Sequence, residues 1–125
     1  MKTKVSLLLS FILMITISSF AQGQQRRTVE ERVKAVMEKV STPLALDESQ
    51  TQKTEIVFTD FYKAQDKMRE DARASGQRPD RIVFEKMTAD RNEKLKAFFT
   101  ADQFTKYKSE VEATLRPQRQ SNGGN

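Results

Sequence analysis

Two short boxes decide the fold: Leu46-Asp47-Glu48-Ser49-Gln50 and Phe99-Thr100-Ala101-Asp102-Gln103. Each has an apolar residue, then a residue suited to cap a helix, then Gln three positions after the cap. A capping side chain accepts from the free backbone N–H groups of a helix start, and the residue three along reaches back to the cap. Each box therefore predicts a helix start, and the two caps lie 53 residues apart. Between them the chain reads as two long amphipathic helices joined by a polar turn.

The first of these runs from about Glu48 to Ala74. Val57, Phe61, Ala64, Met68 and Ala72 form its apolar stripe, widened in the first half by Ile56, Phe58 and Tyr62. The second half is dense in charge. Glu55 with Lys63, Asp66 with Lys67, and Glu70 with Arg73 read as solvated pairs worth tenths of a kcal/mol each. Ser75-Gly76-Gln77-Arg78-Pro79-Asp80 is the turn. Gly suits the left-handed residue after a helix end, and Pro suits a helix start. The next helix runs from Pro79 or Asp80 to Phe98, with Val83, Phe84, Met87, Arg91, Leu95 and Phe98 at helical spacing. Arg91 interrupts that stripe and reads as a side chain snorkelling at the edge of the core.

Outside the hairpin lie two shorter helices. Thr28 and Glu31 make a third capping box, followed by Val29, Val33, Val36, Met37 and Val40 on one face. Ser41-Thr42-Pro43 ends that helix, since the residue before proline avoids the helical region. After Thr100 a fourth helix carries Phe104, Tyr107, Val111 and Leu115, and Pro117 ends it. Residues 22–27 and 117–125 are polar and read as a flexible segment and a disordered tail around a helical domain over 28–116.

Residues 1–21 read as a secretory signal peptide. Lys2 and Lys4 precede an apolar run from Val5 to Phe20, and Ser19-Phe20-Ala21 offers small residues for cleavage after Ala21. The alternative is an uncleaved anchor, but a run of 16 is short against the about 20 residues a span needs. The mature chain is thus expected in the periplasm or secreted, with no membrane insertion after cleavage. Without Lys2 and Lys4 the 22 basic residues fall to 20 against 17 acids, a balance of +3. The signs alternate along the chain, which argues against a nucleic-acid surface.

The chain has no Cys and no His. That removes thiolate chemistry, disulfides, ordinary zinc ligands and the usual general base. Carboxylate neighbours such as Asp47 with Glu48, or Glu110 with Glu112, stand in charge-rich settings without an evident pocket. No enzyme, metal site or cofactor is expected. The expected fold is all-α: four helices, two long central ones in a hairpin, with shorter helices at each end. Two short helices cannot cover both sides of a hairpin about 40 Å long. An elongated, open molecule follows, and a homodimer is the simplest way to cover its remaining apolar surface.

With both boxes placed, the chain resembles the small periplasmic proteins of the Spy/CpxP type, which carry paired Leu-Thr-x-x-Gln motifs. Asp47 stands where that family has Thr, and Phe99 where it has Leu; Leu46, Gln50, Thr100 and Gln103 match. The resemblance covers Thr28 to Leu115. It implies a four-helix, hairpin-like fold that dimerises into a curved cradle, and an ATP-independent chaperone or stress-response regulator. Some relatives bind metals through His, and this chain has none.

The functional expectation is accordingly a chaperone-like protein that binds unfolded or partly folded clients. The alternative is a regulatory interaction protein that binds an envelope sensor or another periplasmic partner, without chaperone activity. Candidate client contacts lie near the hairpin turn. Met68, Ile82, Phe84 and Met87 offer adaptable apolar surface, and Arg69, Arg73, Arg78 and Arg81 offer attraction for acidic clients. Ordinary packing between the two long helices and a merely soluble tip are the competing readings of those two sets. For the boxes, capping and packing compete with direct partner contact.

Overall fold

The computed structural model describes residues 26–116. The expected signal peptide, residues 22–25 and the 117–125 tail lie outside the described residues. All secondary structure described is helical. α1 spans Val29–Val40, α2 Glu48–Ala74 and α3 Arg81–Lys96. The fourth helix is built from α4 (Ala101–Lys106), a π-helical stretch (Tyr107–Val111) and a last α-helical turn, α5 (Glu112–Leu115). The two long helices form the central hairpin, and the shorter ones precede and follow it in the chain.

Local chemistry sets these limits. Thr28, Asp47 and Thr100 each accept from the backbone N–H three residues on, and Glu31, Gln50 and Gln103 each accept from the cap's own N–H. Asp80 caps α3 by accepting from Ile82 N, so Pro79 falls before the helix and not inside it. α2 ends through Gly76 at φ +69, with Gln77 N donating to Ala72 O at 2.8 Å and Gly76 N to Arg73 O at 3.1 Å. That left-handed residue turns the chain back towards α3. Between α1 and α2, Ala45 takes the same region at φ +49, a conformation an L side chain adopts at a cost.

The core occupies one end of the hairpin. Val33, Val36, Val40 and Leu44 pack with Val57 and Phe58 of α2, Leu95 and Phe99 around the end of α3, and Tyr107 and Val111 of the fourth helix. Phe58, Leu95, Val40 and Tyr107 are fully enclosed. At this end four helical segments surround one another. Towards the turn there are only two, and no residue from 66 to 90 is buried. The covered face of α2 runs Thr54, Val57, Phe58, Phe61 and Gln65. Ala64, expected on the buried stripe, is exposed, because α1 covers the neighbouring face and nothing covers the stripe's far end.

Two further expectations are corrected. Arg91 does not snorkel; it is 5% exposed and lies inside, against the rings of Phe58 and Phe61. The fourth helix is not a regular α-helix. Its π-helical stretch lets Glu112 N donate to Tyr107 O, five residues back. The wider turn shifts the register so that Val111 and Glu112 are both buried. These two departures concern the same place, because Glu112 meets Arg91.

Candidate functional site

The two boxes meet at the covered end of the hairpin. Gln50 Nε2 donates to Gln103 Oε1 at 2.7 Å, and Gln103 Nε2 donates to Gln50 Oε1 at 3.1 Å. Gln50 Nε2 also reaches Phe98 O at 3.0 Å, and Gln103 Nε2 reaches Leu44 O at 3.2 Å. Each Oε1 further accepts from the backbone N–H of its own cap, Asp47 or Thr100. Both amides thus make four hydrogen bonds and tie the start of α2 to the start of α4. Leu46 packs against the core and Phe99 lies within it. These residues are committed to one another, with their polar capacity filled by the chain itself.

The sites nearer the turn are different. The candidate residues there separate onto two sides of the hairpin. On one side, Met68, Met87 and Arg78 line a shallow groove with Val83, Ala64 and Ala72. On the other, Phe84, Arg69 and Arg81 line a larger cavity of about 1020 Å³ with Arg32, Phe61, Tyr62 and Arg91. Ile82, 75% exposed, and Arg73 belong to neither groove. Met68, Phe84 and Met87 are half-buried, while Ile82 and Val83 stand in solvent.

The large cavity has an aromatic floor. The Phe61 ring is 6.3 Å from that of Phe84 and 5.4 Å from that of Tyr62. The Arg91 guanidinium lies 4.6 Å from the Phe61 ring centroid, and Arg32 lies 4.8 Å from that of Tyr62. Arg32 crosses from α1 to pair with Asp66 of α2, and Arg69 reaches the same carboxylate at 3.9 Å. Asp66 therefore faces α1, not the solvated flank expected for it beside Lys67. Burial, and then the charge of Arg32, lower the Arg69 pKa against the opposing pull of Asp66. Burial raises the Tyr62 hydroxyl, against the opposing charges of Arg91 and Arg32. Two enclosed polar atoms on the wall, Arg32 Nε and Thr88 Oγ1, have no hydrogen-bond partner among the described residues.

Behind the aromatic floor a polar network joins α3 to the fourth helix. Arg91 donates to Asn92 Oδ1 at 3.1 and 3.2 Å and pairs with Glu112 at 3.5 Å. Asn92 Nδ2 donates to Glu112 Oε1 at 2.9 Å, Tyr107 Oη donates to Asn92 Oδ1 at 3.2 Å, and Lys108 pairs with Glu112. Burial pushes the Glu112 carboxyl up, but hydrogen bonds from Lys108 and Asn92 and the charges of Lys108 and Arg91 outweigh it. The group titrates below its ordinary value. Burial pushes the Tyr107 hydroxyl well up, so it stays a neutral donor. These partners hold Glu112 ionised, which suits keeping Arg91 in place.

The sequence pointed to Arg69, Arg81 and Phe84 but not to Arg32, and Glu112, expected beside Glu110 in a charge-rich setting without a pocket, is instead buried and lines the cavity. Arg32 sits beside the valine face of α1 with no pattern to mark it, and Glu112 enters only through the π-helical stretch. No helix among the described residues is long and apolar enough to cross a membrane. No family model, no curated protein and no solved structure matches the chain.

Proposed function

We propose that this is an exported, ATP-independent chaperone-like protein of the Spy/CpxP type, which holds unfolded or partly folded clients on the turn half of its hairpin and works as a homodimer. One observation carries the reading: from residue 66 to residue 90 nothing is buried, although Met68, Ile82, Val83, Phe84 and Met87 all lie there. A two-helix ribbon with that much apolar surface and no third layer favours a partner. The arginines beside it, Arg69, Arg73, Arg78 and Arg81, supply the opposite sign for acidic segments and speed first encounter. Methionine and phenylalanine then adapt to whatever apolar sequence arrives.

The test is suppression of aggregation of a chemically denatured, unrelated protein by the mature chain. Suppression at near-stoichiometric ratio is expected. Phe84→Asp combined with Met87→Asp is expected to abolish it while leaving helicity by circular dichroism intact, because neither residue belongs to the buried core. No suppression at several-fold excess of the wild-type chain contradicts the reading. Solution scattering with mass determination tests the dimer; a monomer at micromolar concentration removes that part.

A further inference from the structure

We infer that the arginine-lined cavity between α1, α2, α3 and α5 is a binding site for a small amphiphilic anion: a carboxylate or phosphate head on a flexible apolar chain. This goes beyond client holding: the cavity shares Arg69, Arg81 and Phe84 with that reading, but it is one concave site on one side of the hairpin.

Charge comes first. Five arginines line the cavity against two glutamates. Both glutamates are committed: Glu85 accepts from Arg81 at 2.7 Å, and Glu112 serves Arg91 and Lys108 together. Arg32 and Arg69 share the single carboxylate of Asp66. Each guanidinium offers five N–H donors in a planar fork, so donor capacity far exceeds the acceptors present. Arg32 and Arg69, drawn to one carboxylate with side chains 16% and 34% exposed, favour an added anion, and Arg81 adds charge from a more exposed position; carboxylate and phosphate both match the fork.

The apolar half sets the second requirement. Phe84, Phe61 and Tyr62 lie ring beside ring, with the guanidinium groups of Arg91 and Arg32 over Phe61 and Tyr62, and Leu115 lines the same cavity. A bare inorganic anion leaves those rings wet. The rings tilt by 55° and 59° along the row, so they present faces and edges in turn. The tilted rings leave no parallel pair between which a planar base would be sandwiched, and a hydrocarbon chain needs none. The volume of about 1020 Å³ lies at the upper end of ordinary small-ligand sites, about 300–1,000 Å³. A medium-length chain occupies only part of it.

The test is calorimetric titration of the mature protein with laurate and with dodecyl phosphate, each kept below its micelle concentration. Dodecyl maltoside serves as the neutral-head control and inorganic phosphate as the head alone. One site per chain is expected, with both anionic amphiphiles binding at least tenfold tighter than either control. Arg69→Gln combined with Arg81→Gln is expected to weaken them about tenfold and leave dodecyl maltoside unchanged. In parallel, ligand-induced NMR shifts are expected at Leu115 and Phe84 but not at Val40. Equal affinity for dodecyl maltoside, equal affinity for free phosphate, or shifts centred elsewhere overturns the inference. If laurate alone binds, the head is a carboxylate site; if dodecyl phosphate alone binds, it is a phosphate site. A protein that binds these amphiphiles but suppresses no aggregation supports the cavity and removes client holding.

Discussion

Gln50 and Gln103 show how a single residue type can join two distant helix starts. A primary amide has one acceptor and two donor hydrogens, so each glutamine serves its own cap, the other glutamine and a carbonyl across the interface. A carboxylate keeps the acceptor and loses the donors. Gln50→Glu is expected to cost about 2 kcal/mol in denaturant unfolding, since Phe98 O and Gln103 Oε1 then face an anion. In a double-mutant cycle, Gln50→Ala and Gln103→Ala are expected to couple by about 1 kcal/mol or more; additive losses show that the pair acts only as two separate caps. Glu112 is the other residue with leverage. Glu112→Gln leaves the enclosed Arg91 without its counter-charge, at a cost on the order of 3 kcal/mol. Its folded pKa lies below the ordinary value of 4.5. The stability it contributes is therefore complete above that value and is lost as pH falls through the folded pKa. Unfolding free energy measured from neutral pH downward is expected to show this loss in the wild type, and a smaller one in Glu112→Gln. Identical slopes contradict the assignment.

Helix limits were legible because they are set by local chemistry. Thr28, Asp47 and Thr100 announce their helices through a cap and a return residue three positions on, and the α2 limits Glu48 and Ala74 follow from Asp47 and Gly76 alone. Gly76 is the sharpest case. A Cβ placed there meets nothing within 4 Å, so Gly76→Ala tests the backbone alone. A loss of about 1 kcal/mol is expected by thermal or denaturant unfolding, and no loss means the turn has relaxed out of the left-handed region. What the sequence did not disclose is tertiary. The stripe from Phe104 to Leu115 fits a regular α-helix well, so nothing local marks the π-helical stretch. It is favoured by what it buries, the Glu112 carboxylate against Arg91 and Asn92. The same holds for Arg91: spacing placed it on the core face, but only the aromatic rings of Phe58 and Phe61 and the carboxylate of Glu112 explain its burial. The candidate site was legible by residue type near the turn but not by side. Met68 and Phe84 line different grooves, and Arg32 entered from a helix read only for its valines.

At the scale of the whole molecule, the hairpin is longer than the core that supports it. The end built on Phe58, Leu95 and Tyr107 has four helical segments around it, while the turn end is a two-helix ribbon. That asymmetry divides stability unevenly: local opening is cheap where few apolar contacts exist and expensive where the core is closed. The glutamine pair fixes the closed end, and the ribbon is the part proposed above to hold clients. Hydrogen–deuterium exchange on the chain from Gln22 onward, alone and with a permanently unfolded client, measures this division directly. Fast exchange is expected over residues 66–90 in the free protein, slow exchange around Phe58 and Leu95, and new protection over 66–90 when client is added. Uniformly slow exchange along the free hairpin, or client protection confined to the closed end, contradicts this expectation.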